Sequence, residues 1–236
     1  MTPIERIKAA GLQVLPAPEP DQVQMLRKKV GLPLPKELRG ILSCCSGIDG
    51  FLGEIDFTGL GGYEQKDIFP NGLPFGADGD GNFWVLDLTP ATIEAAPVFF
   101  ACHDAPIILY QSPDIASFLD EVVSMTVSPR KCLIHDILGD RLFHVWRKNP
   151  GVVDQAAAAT SADLELRHFA AGLPEYYQII DLRAVSPGMG FSWGRYDPES
   201  VRRHGYERIF AYAKPPETGF FAGLFGRGKR TKRSTE

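Results

Sequence analysis

Several short patterns in the chain carry residue types that can do chemistry. Gly190-Phe191-Ser192-Trp193-Gly194 has the Gly-x-Ser-x-Gly spacing of a nucleophile elbow. An elbow needs a strand before the serine, a helix directly after it, and a histidine downstream of an acid. Here Arg195, Tyr196, Asp197 and Pro198 follow, and His204 is the sole later histidine. The pattern reads better as a glycine-flanked turn or strand edge, with a hydrolase using Ser192 as an alternative. Asp78-Gly79-Asp80-Gly81-Asn82 begins like a calcium loop. Phe83 then stands where the sharp-turn glycine belongs, and Thr89 where the bidentate glutamate belongs, so a β-turn is expected. His103-Asp104 and His135-Asp136 suggest metal-assisted phosphoryl chemistry, but five histidines supply few further ligands. Gly223 to Lys229 satisfies the glycine and lysine spacing of a phosphate loop, yet Arg230 replaces the magnesium-binding hydroxyl. Cys44, Cys45, Cys102 and Cys132 show neither Cys-x-x-Cys nor metal spacing. They are expected as small, buried apolar residues in a reducing cytoplasm. Nowhere do nucleophile, base and orienting group come together. The expectation is a binding protein with no catalytic residue, no cofactor and no metal.

Charge says more than any motif. The 236 residues have a formal net charge of −4, but it is segregated. From Lys214 onward there are six basic and two acidic residues; before it there are 19 basic and 27 acidic. Between Asp49 and Asp104 ten acids face Lys66 alone. Such a surface repels nucleic-acid phosphate and attracts basic proteins, although aspartate also populates turns for local reasons. No apolar run reaches the length of a membrane span, and the N-terminal stretch lacks the apolar core of a secretion signal. A cytoplasmic location is the expectation.

The elements that must position these acids centre on residues 73 to 110. Gly76 to Asn82 is a turn cluster. Phe83 to Leu88 alternates, with Trp84, Leu86 and Leu88 on one face and Phe83, Val85 and Asp87 on the other, as in a half-buried strand. Pro97 to Ala101 and Ile107 to Tyr110 are two further strand-length runs, giving an antiparallel meander with acidic turns. Upstream, Thr2-Pro3-Ile4-Glu5 starts a helix through a capping box. A second helix covers about 21–30, with Val23, Leu26 and Val30 on one face, and stops at Gly31-Leu32-Pro33. A third covers about 35–45, with Leu38, Ile41, Leu42 and Cys45 inward. Strand fragments and a long loop are expected over 47–72. Ser112 or Asp114 caps a helix running to Met125. Beyond Pro129 the pattern gives a helix at 141–147, a short helix ending at Ala171, and strands at 177–183, 191–193 and 209–213. Pro215-Pro216 sets off a last segment in which TGFFAGLFG precedes a basic run. That composition suits a solubilising end, or weak contact of residues 218–233 with an anionic membrane surface.

The unit PFGADGDGNFWVLDL, then PVFFACHD, then a helix starting PDIASFL, together with Leu34-Pro35-Lys36-Glu37-Leu38 upstream, resembles the SMI1/KNR4 family, also called the SUKH superfamily. The resemblance spans roughly residues 20–125. It departs at Cys44-Cys45-Ser46-Gly47, where the family has an Asn-Gly pair. The region from 131 to 213 resembles a C-terminal extension of some bacterial members. What this implies is an α+β fold: an antiparallel or mixed central sheet flanked by helices, with a small α+β addition. The expected division is 1–128 for the family domain, 129–213 for the addition packed on it, and 214–236 for a flexible basic tail.

The resemblance also implies a function. Bacterial members are chiefly regarded as immunity proteins that bind and neutralise a toxin, often a nuclease; fungal members regulate cell-wall synthesis. The expectation is therefore a protein-binding module that occludes a basic toxin, with a regulatory or scaffold protein of the same family as the alternative. Asp49, Glu54, Asp56, Asp78, Asp80 and Asp104 are the candidate contacts, with Tyr63, Phe69 and Trp84 as aromatic anchors. For Trp84 a place in the core is the stronger reading.

Overall fold

Alternating apolar residues build the centre of the molecule in the computed structural model, which describes residues 1–61, 68–88, 94–103, 106–193 and 201–214. The meander consists of β4 (Gly72–Ala77), β5 (Phe83–Asp87), β6 (Val98–Cys102) and β7 (Ile107–Ser112), each antiparallel to the next. Short strands β1 (Gln13–Val14), β2 (Gly47–Asp49) and β3 (Glu54–Asp56) extend the sheet on the β4 side. On the other side the eighth strand is β10 (Gly190–Ser192), which pairs with β7. Gly190 lies so close to β7 that a Cβ there would stand 1.9 Å from the Ile108 carbonyl oxygen, so a side chain would push the strands apart. The order is β1-β2-β3-β4-β5-β6-β7-β10, and every pairing is antiparallel. The class is α+β, as the family resemblance implied.

One face of this sheet is covered by helices. The α1 helix (Pro3–Ala9) starts with the capping box foreseen, Thr2 and Glu5 exchanging backbone and side-chain bonds. The α2 helix (Pro20–Val30) begins with a box made by Glu19 and Gln22, and closes at Gly31 in the left-handed region. The α3 helix (Lys36–Leu42) is shorter than expected, and Cys44 and Cys45 lie just beyond it. Cys45 is buried and its thiol pushed up to about 11, mainly by desolvation. Cys44 is exposed, which corrects the expectation that it would be buried: the chain has left the helix and turned its side chain outward. In α4 (Ile115–Val127) Asp114 caps the first turn, and Ile115, Phe118, Leu119 and Val122 are inward. Glu37 adds a second cap from a distance, accepting from the Ile115 and Ala116 amides. Burial raises the Glu37 carboxyl above its ordinary range, against the lowering effect of those amides. Then α5 (Leu133–Asp136), a π segment (Ile137–Arg141) and α6 (Leu142–Lys148) run on as one irregular rod, with Gly139 off helical geometry.

The other face is covered by a second sheet. Its strands are β8 (Val153–Asp154), β9 (Tyr177–Asp181), β11 (Arg202–Arg203) and β12 (Ile209–Ala213), in the order β11-β12-β9-β8. The inner side chains Ile180, Leu182, Phe210 and Tyr212 pack with Val85, Phe99, Ile108 and Tyr110 of the first sheet. On its outer side, Tyr177, Ile179, Ile209 and Ala211 meet α7 (Gln155–Ala159) and α8 (Leu164–Ala171), the latter capped by Asp163. The layers are therefore helices, large sheet, small sheet, helices.

That second sheet corrects the reading of Phe83 to Leu88 as half-buried. Trp84, Leu86 and Leu88 enter the helix-covered core, and Val85 enters the core between the sheets. Asp87, expected on an open face, is 0% exposed and meets Arg203 in a bidentate pair, with Nη1 3.2 Å from Oδ1 and Nη2 2.7 Å from Oδ2. The remaining guanidinium protons go to the carbonyls of Ile68, Tyr206 and Glu207, and the group lies over the Phe210 ring at 5.3 Å. A buried pair needs this full set of partners to be tolerable. Asn149 makes the other tie. It sits in the left-handed region at the end of α6, bonds the Ser192 backbone through its amide oxygen and nitrogen, and donates to the Tyr212 hydroxyl at 2.6 Å.

Candidate functional site

The acids that drew attention in the sequence come from successive turns at one end of the large sheet. Glu54 is opposite Ala77, so the β2–β3 turn (residues 50–53) lies beside the entry to the β4–β5 turn. Gly53 makes this contact possible: a Cβ there would be 2.0 Å from the Ala77 carbonyl oxygen. Phe83 is opposite Ala101, which puts the β6–β7 turn next along the same edge. His103 there donates its backbone N–H to the Asn82 side-chain oxygen at 3.1 Å, locking the second turn to the third. Segments 49–54 and 78–82 contain no lysine or arginine.

Each carboxylate has a distinct setting. Asp49 is exposed at the end of β2, and Asp80 is exposed at the tip of its turn. Glu54 is exposed at the start of β3. Asp78 is tied down: one oxygen accepts from the Asp80 and Asn82 amides at 2.9 and 3.1 Å, and the other from the Asn82 side chain at 2.6 Å. It shapes the turn, as aspartate commonly does. Asp56 lies at the far end of β3, opposite Gly47, and caps its own turn through Thr58. It nevertheless joins Asp49 and Glu54 in lining a shallow cleft of about 310 Å³, together with Gln22, Ser46 and Thr58. Asp49, Glu54, Asp78 and Asp80 thus share one rim, with Asp56 set back in the cleft. Asp104 and Tyr63 lie outside the described residues.

The aromatic anchors need correction. Trp84 is 0% and Phe69 1% exposed. Trp84, on β5, packs on Phe51, Phe100 and Phe118, and Phe69, just before β4, packs on Phe99 and Phe210 in the core between the two sheets, because both faces of the large sheet are covered. Neither presents surface to a partner. The apolar side chain that the rim does present is Leu52, 51% exposed at the tip of the β2–β3 turn between Asp49 and Glu54. Sequence reasoning missed it. The adjacent Phe51 points inward onto Trp84, and nothing in the local pattern distinguishes the two.

The described parts of the catalytic look-alikes have these settings. Ser192 closes β10 opposite Ile107, its backbone is held by Asn149, and it is 3% exposed. An elbow serine stands exposed on a sharp turn. Asp78 to Asn82 is a tight five-residue connection between β4 and β5, closed by the Asp78 N–H bond to the Asn82 carbonyl at 3.2 Å. His103 faces Asn82, its Nδ1 3.1 Å from the side-chain oxygen. Asp136 is engaged by Arg141 at 2.9 Å. Among the described residues no group of three or more histidine, cysteine, aspartate or glutamate side chains is arranged to hold a metal, and no helix is long and apolar enough to cross a membrane. The phosphate-loop pattern at 223–229 and the segment 218–233 lie outside the described residues.

Residues 17–121 match the family model described as the SMI1/KNR4 family, SUKH-1. The match runs from the start of α2 into α4 and so takes in every acid of the rim. Neither the curated proteins nor the solved structures contain a match to the chain.

Proposed function

The chain carries an SMI1/KNR4 (SUKH-1) domain over residues 17–121, and from that premise we propose that it is a non-enzymatic binding module of the immunity type. It docks the rim formed by Asp49, Glu54, Asp78 and Asp80 onto a basic protein and covers that protein's functional cleft. The observation that carries this reading is the convergence of those acids on one edge through two adjacent turns, the second tied to the β6–β7 turn by His103 and Asn82. Asp49, Glu54 and Asp80 are left pointing at solvent, with Leu52 among them as an apolar contact. Arranged this way, carboxylates speed and orient encounter with a positive surface, and a central apolar group supplies the desolvated contact. A toxin that handles nucleic acid has such a positive cleft, because it must bind phosphate.

The test is capture from the source organism with the intact chain and with Asp49→Lys/Glu54→Lys/Asp80→Lys, followed by mass spectrometry. The reading expects one basic protein that the intact chain retains, that salt releases, and that the triple variant loses. A partner retained equally by both would contradict it.

A further inference from the structure

One face of the α5–α6 rod carries a pattern of its own. On α6, Val145 is buried, while Phe143 and Trp146 are 51% and 44% exposed. Past the irregular Gly139, spacings of three and four residues put Asp140, Phe143, Trp146 and Arg147 on the side opposite Val145, and all four are exposed. Two large aromatic side chains standing open next to each other mark a contact surface, unlike apolar residues scattered singly. The face is distinct from the acids of β2 and β3. The α6 helix packs on β7 and β10, and β10 lies five strands from β3 in the large sheet, about 24 Å away.

What covers the rings follows from the charges at either end. Asp140 stands one turn before Phe143, and Arg147 one turn after it, with Lys148 adjacent. Asp136, a turn further back, is already engaged by Arg141. The stripe therefore runs acid, aromatic, aromatic, base. Turned end for end, it is its own complement: each acid meets a base, and the rings meet at the centre. A parallel match would instead set acid on acid and base on base.

We propose that this stripe is the interface of a homodimer, in which the α6 helices of two copies pack antiparallel about a twofold axis. Asp140 of each copy faces Arg147 of the other, and Phe143 and Trp146 of both fill the centre. Such an interface uses the same patch twice and closes at two copies. Half exposed, each ring offers about 100 Å², so the four together give about 400 Å². With the flanking charged side chains the contact falls at the small end of specific interfaces, near about 1,200 Å² in total. The dimer is accordingly reversible, with a Kd of about 1–100 μM.

Sedimentation velocity of the intact chain over about 1–200 μM should show monomer giving way to dimer. Of the three tryptophans, Trp84 and Trp193 are buried. The emission of Trp146 should therefore report the contact by moving to the blue as the dimer forms. Phe143→Ser/Trp146→Ser should weaken association at least about a hundredfold while leaving the far-UV circular dichroism unchanged. Asp140→Arg and Arg147→Asp should each weaken it about tenfold, since two attractions per dimer become repulsions. Mixed in equal amounts, these two single variants should associate with each other as tightly as the intact chain does, because acid again meets base. A chain that stays monomeric at the highest concentration, assembly beyond two copies, association unchanged in the aromatic variant, or no recovery on mixing would each overturn the proposal. So would a monomer whose Trp146 emission shifts only when anionic vesicles are added, which would assign the stripe to a lipid surface.

Discussion

The two faces of the large sheet are covered by different means. On one, helices lie over Trp84, Phe100, Leu109 and their neighbours, most of them from the stretch that matches the family model. On the other, a sheet from beyond residue 150 lies over Val85, Phe99 and Ile108. The first face is held mainly by apolar packing, with the Trp84 indole donating to Gln111 and Glu37 capping α4 as its polar contacts. The second adds polar ties, the Asp87–Arg203 pair and the Asn149 bridge, at points where strands distant in the chain must find one register. Helix on sheet needs only a matching stripe, whereas sheet on sheet needs alignment, and buried polar partners with strict geometry can fix it.

The largest effect that would break this contrast is removal of residues 129–236. That deletion strips β10 and the whole second sheet from a largely apolar face on which Asp87 loses Arg203, and takes α5 and α6 from the other face. The remainder is expected to be insoluble or molten, measured by soluble yield and amide dispersion in NMR. A well-folded fragment would show that the second face can stand uncovered.

Next comes Arg203→Met, which leaves Asp87 buried without its counter-ion. Denaturant unfolding should show a loss of about 3–5 kcal/mol. Adding Asp87→Leu to the same chain should recover much of it, since removing both charges removes the uncompensated one. Asn149→Ala is expected to cost about 1–3 kcal/mol, because it frees two buried backbone groups of Ser192 and puts alanine at positive φ. An equal cost for Asn149→Gly would assign the whole effect to the lost bonds.

Smaller is the pH dependence carried by Glu37. Burial raises its folded-state carboxyl above the unfolded value, so the folded chain holds the proton more tightly. Its stabilising contribution is full below the ordinary carboxylate range and is lost as pH rises through the raised value. Comparing unfolding of the intact chain and Glu37→Gln across that window should show a decline in the former that the latter lacks. Last, Asp49→Lys/Glu54→Lys/Asp80→Lys should leave stability within about 0.5 kcal/mol, as exposed positions usually do. A large loss would mean that the rim carries the fold and not a partner.

Local physics was readable in the sequence where it acts over a few residues. The Thr2–Glu5 capping box, the cap of α4 and the three central strands follow from spacing and side-chain chemistry. What distant segments decide was not readable. Phe83 to Asp87 alternates as a half-exposed strand does, and only the second sheet shows that both sides are buried. Arg203 looks like any surface arginine until Asp87 is set against it. The strand at 190–192 reads as one piece of a small addition, yet it completes the large sheet. The site behaves likewise. Acids in turns were visible, and their common edge follows from antiparallel register. The exposure of Leu52 and the burial of Trp84 and Phe69 depend on packing that no local pattern encodes.

The central claim is that the acidic rim recognises a positive protein surface. The measurement that addresses it most directly is the association rate of the captured partner with the intact chain as ionic strength is raised. The account predicts a fall of about tenfold or more between low salt and several hundred millimolar, and a rate in the triple lysine variant that is low throughout. A rate that ignores salt, or that is the same in the variant, would contradict it.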